Sequence, residues 1–148
     1  MTKKEARQQV KEWMKKLDKN YIEKADQSIF EQVKELKEFQ EAKTIFCYAS
    51  MKNEVDTWQL IALALKQGKN VGVPLCIGKG IMEVRQIHAL DDFEEGAYGI
   101  MEPSRRCPIL SKEKIDVAVI PIIFSPVATS SENAVALPAA VPIFSASL

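Results

Sequence analysis

The chain has 148 residues, enough for one domain with a substantial apolar core. Its 20 Lys and Arg residues balance 20 Asp and Glu residues, so the zero net charge gives no attraction to nucleic acid or to an anionic membrane. No window approaches the roughly 18 apolar residues of a membrane-spanning helix. The three widely spaced cysteines form neither a disulfide framework nor a zinc pattern, which predicts a cytoplasmic location. We expect Cys47 and Cys76, which lie in apolar runs, to be buried.

The first helix is predicted over residues 3–17, where apolar residues recur at the spacings of one helical face. Basic residues occupy the other faces, and Lys3 and Arg7 project together because they are four residues apart. A solvated basic face explains this pattern, and so does a clamp for the oxyanions of a nucleotide. A second helix is predicted over residues 21–39.

Residues 44–65 predict a short strand, a polar loop and a helix that begins at Trp58. Ligands of open α/β sheets bind beyond the carboxyl ends of the strands, so this loop is placed to form the wall of a site. Asp56 or Thr57 would cap the helix. Capping does not need Glu54, whose carboxylate could face either a ligand or solvent.

Residues 70–76 predict a second strand, parallel to the first because a helix connects them. Pro74 is expected to end its regular ladder, since proline has no backbone N–H group. A Gly-Lys-Gly turn leads into residues 81–87, whose alternating polarity predicts an antiparallel strand. His88 is the only histidine, and a surface or packed position is favoured over a catalytic one.

Residues 91–103 predict a loop with an acidic first half and a rigid second half, in which Pro103 restricts Glu102. Residues 115–121 predict a third strand, buried on both faces. From residue 125 onward the chain contains one charged residue and no glycine. Prolines exclude a regular helix there, and residues 133–144 predict an apolar strand or an extended tail.

An ordered set of short motifs carries a resemblance to a known family. The motifs occupy residues 3–7, 48–57, 68–74, 82–84, 98–103 and 115–121. Each is weak alone, but their order is specific. Over residues 1–124 the chain resembles the 5-formyltetrahydrofolate cyclo-ligase family, also called methenyltetrahydrofolate synthetase.

The resemblance implies a single α/β domain over residues 1–148, with a mostly parallel open sheet, flanking helices, three layers and a divergent tail at 125–148. It implies ATP-dependent cyclisation of 5-formyltetrahydrofolate to 5,10-methenyltetrahydrofolate, with release of ADP and phosphate and with Mg²⁺ present. The formyl oxygen would be phosphorylated and then displaced by N10, which asks mainly for positioning and charge neutralisation. The expected partner is the folate substrate, with no nucleic acid and no membrane, and the protein is expected to be a monomer.

The same resemblance assigns two groups of residues, and it assigns no catalytic residue and no metal ligand. The phosphates of ATP would be held by cations of the first helix: Lys3, Lys4 and Arg7. The folate would be contacted by residues of two loops: Ala49, Met51, Glu54, Thr57, Tyr98 and Glu102.

One departure from the family pattern bears on activity. After the third strand, family members carry a loop resembling Gly-Arg-Gly-Gly-Gly-Tyr-Tyr-Asp-Arg, whose backbone N–H groups approach phosphate. Residues 122–145 contain no match to it. The abrupt loss of charge and glycine suggests an altered reading frame over residues 125–148. Two alternatives to the enzyme therefore stay open: an inactive folate- or nucleotide-binding remnant, and an unrelated α/β binding module.

Overall fold

In the computed structural model, the described residues are 1–52, 54–96, 99–120 and, for their backbone, 143–145. Their helices are α1 (Lys3–Lys15), α2 (Lys19–Glu35), α3 (Lys37–Glu41) and α4 (Trp58–Lys66). Their strands are β1 (Thr44–Cys47), β2 (Asn70–Gly78), β3 (Ile81–Ile87), β4 (Phe93–Glu95), β5 (Met101–Pro103), β6 (Val117–Val119) and β7 (Ile143–Ser145). None of the helices in these ranges combines the length and apolarity needed to cross a bilayer.

The main sheet has the order β3-β2-β1-β6-β7. The central strand β1 is parallel to both β2 and β6, whereas β3 and β7 are antiparallel to their neighbours at the two edges. A parallel centre needs crossover connections, and α4 supplies the one between β1 and β2. The predicted α/β fold with a βαβ unit is confirmed, and so is the antiparallel strand predicted at residues 81–87.

The core forms where α4 packs against the parallel strands. Ile45 and Cys47 of β1 are fully buried, and so are Ile61 and Ala64 on the inner face of α4. Burying one Ile side chain contributes roughly 1.5–3 kcal/mol, so this contact fixes where α4 lies. The end of β1 and the start of α4 are therefore held on a rigid base.

The second helix is shorter than predicted. It ends at Glu35, Leu36 is extended (φ −65°, ψ 132°), and α3 begins at the next residue. The expectation of one helix over residues 21–39 is wrong because the break at Leu36 redirects the chain. Phe39 of α3 is thereby fully buried in the core.

Two expectations about β2 are also wrong. Pro74 does not end the ladder, because β2 continues to pair with β3 through Gly78. Pairing with β1 stops at Gly72, so the missing N–H group of Pro74 falls where β2 has a strand on one side only. Cys76 is exposed because it lies in this outer part of the hairpin, whereas the predicted burial of Cys47 is confirmed.

The acidic segment predicted as a loop contains a hairpin, in which β4 pairs with β5. Phe93 faces the core and pairs with Pro103, while Glu94 pairs with Glu102 across the hairpin. The predicted tail lies mostly outside the described residues. Its strand β7 pairs antiparallel with β6.

Candidate functional site

The loop that follows β1 is closed by reciprocal hydrogen bonds. The Thr57 side chain is fully buried, and its Oγ1 donates to the Tyr48 carbonyl oxygen at 2.5 Å and accepts from the Ser50 N–H group at 2.9 Å. The Thr57 N–H group donates to Ser50 Oγ at 3.0 Å. The hydroxyl of Thr57 therefore serves the loop itself, and the predicted contact between Thr57 and the folate stays a prediction.

Trp58 adds a second closure. Its indole Nε1–H donates to the Ser50 carbonyl oxygen at 2.9 Å, and its ring meets Phe93 edge-on with centroids 4.8 Å apart. Asp56 caps α4, because its Oδ1 accepts from the Trp58 N–H group at 2.8 Å. Thr57 occupies the N-cap position without a side-chain cap bond, so Asp56 is the capping residue of the two that the sequence left open.

Glu54 lies at the outer turn of this loop and is partly buried. Its Oε2 accepts from the Met51 N–H group at 2.9 Å, and its own N–H group donates to the Met51 carbonyl oxygen at 3.1 Å. Within the described residues, Glu54 Oε1 accepts no hydrogen bond. Met51 is exposed and Ala49 is partly buried. The loop therefore holds the carboxylate by its Oε2 atom.

The buried environment of Cys47 excludes nucleophilic catalysis by its thiol. Burial raises the pKa of the Cys47 thiol to about 12, so this cysteine stays protonated and is no nucleophile. Tyr48 packs edge-on against Phe46 with centroids 5.2 Å apart, and Tyr48 Oη lies 3.9 Å from Met82 Sδ. His88 is exposed at the end of β3, in agreement with the favoured prediction.

A separate open pocket of about 280 Å³ lies against the β4–β5 hairpin. Its lining includes charges of both signs: Glu94, Glu95, Glu102, Arg105 and Arg106. Gly96 lies close to the Glu102 carboxylate, and a Cβ atom on it would stand 2.6 Å from Glu102 Cδ unless that side chain moved. The predicted substrate residue Glu102 thus lines a pocket, while Tyr98 lies outside the described residues.

The two arginines of this pocket were not predicted. Arg85 supports the segment that carries them, since its Nη1 donates to the carbonyl oxygens of Arg105 at 3.2 Å and Cys107 at 2.9 Å. Glu83 pairs with the same guanidinium at 2.5 Å, and both side chains are largely buried. Two adjacent arginines directly after the Glu-Pro-Ser run were the only sequence signal for them.

The predicted nucleotide-binding cations lie elsewhere. Lys3, Lys4 and Arg7 are exposed on α1, and no residue of that fully described helix is buried. None of the three forms an ion pair with any described residue. The hairpin pocket is lined neither by them nor by the Glu54 loop. The candidate residues therefore fall into three groups: the cations of α1, the loop that carries Glu54, and the hairpin pocket that includes Glu102. No single described pocket contains all three groups.

The comparisons with known proteins agree with the order of the motifs. The sequence profile of the 5-formyltetrahydrofolate cyclo-ligase family matches residues 1–128. The chain belongs to this family. That finding confirms the resemblance read from the short motifs.

Two curated cyclo-ligase relatives are similar in sequence. A protein of Schizosaccharomyces pombe, named probable 5-formyltetrahydrofolate cyclo-ligase, is 36% identical over 107 residues, which is 71% of this chain and 52% of the relative. A Caenorhabditis elegans protein with the same name is 30% identical over 132 residues, which is 84% of this chain and 64% of the relative. The chain thus spans between half and two thirds of these cyclo-ligases.

A solved structure shares the fold. The NMR structure of Aquifex aeolicus 5,10-methenyltetrahydrofolate synthetase superposes with a TM-score of 0.69 at 27% identity. The match covers 80% of this chain and 59% of the synthetase. The α/β architecture described above is therefore the cyclo-ligase architecture.

The described part of the chain contains no group of three or more His, Cys, Asp or Glu side chains arranged to hold a metal. Mg²⁺ prefers an octahedral set of oxygens and often takes several of them from substrate phosphates and water. We therefore assign no residue of this chain to the ion.

Proposed function

We propose that the protein couples the hydrolysis of ATP to the ring closure of 5-formyltetrahydrofolate, giving 5,10-methenyltetrahydrofolate, ADP and phosphate. The observation that carries the proposal is the Glu54 loop in a chain of the cyclo-ligase family. This loop follows the carboxyl end of β1, where open α/β sheets bind ligands, and no described residue donates a hydrogen bond to Glu54 Oε1. The names of the two curated relatives support the same activity.

On the folate side, Glu54 would accept hydrogen bonds from N–H groups of the pterin ring. Charge-assisted bonds of this kind are about twice as strong as neutral ones, so Glu54 would fix the orientation of the ring. Ala49 and Met51 would supply apolar contacts to its face, and the exposed Met51 is flexible enough to adapt. Thr57 would act by holding the loop closed.

On the nucleotide side, Lys3, Lys4 and Arg7 would neutralise the phosphates of ATP. The N-terminus of α1 already uses part of its backbone for its own cap. Thr2 Oγ1 accepts from the Glu5 N–H group at 3.2 Å, and Glu5 Oε2 accepts from the Thr2 N–H group at 2.7 Å. The charged side chains, which have no ion pairs with described residues, would therefore supply most of the phosphate binding.

The chemistry requires two displacements. The formyl oxygen attacks the γ-phosphorus of ATP, the bond to ADP breaks, and the formyl carbon becomes activated by a phosphate ester. N10 then attacks that carbon, phosphate leaves with the former formyl oxygen, and the N10 proton passes to solvent. The protein's part in both steps is to align the groups and to stabilise phosphate charge.

The hairpin pocket would form a second wall of the folate site. Glu102 would hydrogen-bond a donor of the substrate, and Tyr98 would help to shape the same pocket. Arg105 and Arg106 are exposed guanidinium groups at its rim. Guanidinium groups bind carboxylates in a two-pronged geometry, which suits the glutamate part of folate.

A cyclisation assay on the intact chain tests the proposal. We expect 5,10-methenyltetrahydrofolate to form from 5-formyltetrahydrofolate only when ATP and Mg²⁺ are both present, with one ADP released per product. The matched control omits ATP while keeping Mg²⁺. Product formation at equal rates with and without ATP, or none under any condition, would reject the proposed reaction.

Glu54→Gln tests the folate side within the same assay. The amide keeps the shape but replaces an ionic acceptor, so we expect the KM for the folate to rise about tenfold, which is about 1.4 kcal/mol. Glu38→Gln removes an equal charge from an exposed position of α3 and should leave the KM unchanged. An unchanged KM in Glu54→Gln would remove Glu54 from the site.

The alternative is a folate-binding protein that does not turn over. The composition of residues 125–148 favours it, because they contain no glycine to bring backbone N–H groups close to phosphate. Equilibrium binding of 5-formyltetrahydrofolate, measured by calorimetry without ATP, separates the two. Binding without any product in the cyclisation assay would establish the alternative.

A further inference from the structure

One hydrogen bond ties the substrate loop to a helix far away in sequence. Asp26 lies in the middle of α2, and its Oδ1 accepts from the Asp56 N–H group at 3.2 Å. The two residues are 30 positions apart in the chain. Asp56 directly precedes the buried Thr57 and lies two residues after Glu54. The bond therefore reaches the loop at the point where its outer turn meets its closed base.

No other hydrogen bond of the described residues between 50 and 58 comes from a separate element. The bonds of Ser50, Met51, Thr57 and Trp58 all connect partners within the segment from Tyr48 to α4. These bonds give the loop its internal shape. Among the described residues, the Asp26 bond is the one hydrogen bond that joins this segment to α2.

A partly buried carboxylate in the middle of a helix, such as that of Asp26, is destabilising unless it is hydrogen-bonded. Burial raises its pKa, and the nearby Asp56 carboxylate raises it further, while the N–H group of Asp56 acts in the opposite direction. Aspartate is also a poor helix former away from the first turn. An apolar residue at this half-buried position would avoid the desolvation, and the bond to the Asp56 N–H group partly offsets it.

Asp56 cannot compensate for the loss of this bond. Its own carboxylate faces the start of α4, where Oδ1 accepts from the Trp58 N–H group and Oδ2 from Gln59 Nε2 at 3.4 Å. If Asp26 were absent, the Asp56 N–H group would lose its partner at a partly buried position. The backbone leading to Glu54 would then be free to shift away from α2.

We infer that Asp26 is a positioning residue for the substrate loop: its carboxylate holds the backbone at Asp56 and thereby sets where Glu54 meets the pterin ring. This inference rests on the proposed function for the role of Glu54. It makes α2 a support of the site. A shift of about 1 Å at such a loop can lower the rate about 100-fold, so the effect on activity is measurable.

Three variants test the inference. Asp26→Ala removes the acceptor, and we expect the KM for 5-formyltetrahydrofolate to rise about tenfold with the KM for ATP unchanged. Asp26→Asn keeps an acceptor oxygen and should restore most of the wild-type KM. Asp18→Ala removes the cap of α2, whose Oδ1 accepts from the Asn20 N–H group at 3.2 Å, and it weakens the helix without touching the loop. Equal KM changes in Asp18→Ala and Asp26→Ala would overturn the inference.

Amide hydrogen exchange supplies a readout that does not depend on turnover. We expect residues 50–57 to exchange at least tenfold faster in Asp26→Ala than in the wild type, with Asp18→Ala close to the wild type. Wild-type exchange in Asp26→Ala would show that the tie does not hold the loop. A wild-type protein without turnover would reject the proposed function alone, because the exchange experiment still decides whether Asp26 anchors the loop.

Discussion

The loop after β1 and the helix α1 carry the two halves of the proposed site, and they are built in opposite ways. The loop rests on a buried strand, is closed by Thr57 and Trp58, and is tied to α2 through Asp26. Helix α1 has 13 residues, and none of them is buried. Its apolar face is only partly buried, and its ends carry a capping box and Lys15 in the last turn.

The two regions differ in how far each is already ordered before a ligand binds. A preorganised loop pays the entropy of ordering during folding, so a small rigid ligand such as a pterin ring loses little on binding there. A helix of about 12–15 residues is marginal in water on its own, and α1 buries its apolar face only in part, so α1 is the less constrained of the two regions. The folate side should therefore respond to changes in stability, and the nucleotide side should respond to changes in charge.

The largest expected effect comes from opening the loop. Thr57→Val keeps the volume of the side chain but removes the hydroxyl that serves both Tyr48 and Ser50. Leaving buried polar groups without partners costs about 1–3 kcal/mol. We expect urea denaturation to show a loss of that size, together with weaker folate binding.

Thr57→Ser is the matched control, because it keeps the hydroxyl and loses only a methyl group. It should retain most of the hydrogen-bond contribution and of the folate affinity. If Thr57→Val were as stable as Thr57→Ser, the hydroxyl would not hold the loop, and the contrast with α1 would disappear.

Removing a cation from α1 should weaken nucleotide binding and leave the stability of the fold nearly unchanged. Arg7→Ala affects an exposed side chain, so the free energy of unfolding should change by no more than about 0.5 kcal/mol. The KM for ATP should rise about tenfold, since a charged contact to phosphate contributes about 1.5–3 kcal/mol. Steady-state kinetics and urea denaturation on the same sample measure both quantities.

Lys24→Ala is the control for Arg7→Ala, because it removes the same charge from an exposed position of α2. It should leave the KM for ATP unchanged. An equal rise in both variants would mean that net charge, rather than a site on α1, attracts the nucleotide.

The sequence predicted the parallel centre of the fold because strands that are buried on both faces appear as continuous apolar runs. The apolar runs around Ile45 and Val117 could only be interior strands, and Gly68 marked the end of the helix between the first two. The same reasoning failed for Pro74, since the place where β1 stops pairing with β2 depends on register and not on composition. The hairpin at Phe93 was missed because acidic residues on its exposed face looked like a loop.

The site was predictable only in part, for a related reason. Glu54 was singled out because capping of the helix does not need it, and its contact with the folate stays a prediction. The role of Thr57 in closing the loop depends on backbone groups of Tyr48 and Ser50, which a linear reading does not bring together. Asp26 depends on a contact between distant segments that its local sequence does not mark. Arg105 was signalled only by the adjacent pair of arginines in which it stands.

A smaller effect is expected from the cap of α1. Thr2→Ala removes the hydroxyl that accepts from Glu5, which typically costs about 1 kcal/mol of helix stability. Because no residue of α1 packs into the core, we expect the helical circular dichroism to fall slightly while the urea midpoint barely moves. A loss of global stability comparable to that of Thr57→Val would show that α1 is an integral part of the folding unit.

The smallest effect, and the finest test of the comparison, is the response to pH. The N–H group of Thr2 lowers the pKa of Glu5 from its usual 4.5, so the stabilisation from Glu5 is present above pH 4.5 and is lost as the pH falls through the folded-state pKa. Burial raises the pKa of Asp26 from its usual 3.8, so its contribution has the opposite sign. The penalty for ionising Asp26 is absent below pH 3.8 and appears as the pH rises through the folded-state pKa.

Comparing the wild type with one variant at each position distinguishes the opposite pH dependences of Glu5 and Asp26. Against Glu5→Gln, the wild type should lose its advantage in helical circular dichroism as the pH is lowered. Against Asp26→Asn, the wild type should gain relative stability in urea over the same change, because the uncharged amide has no ionisation penalty to relieve. The two regions would then respond to acid in opposite directions, as expected of a helix held by an exposed charge and a loop held by a partly buried one. Differences of the same sign in both pairs would mean that one of these two carboxylates is not held as described.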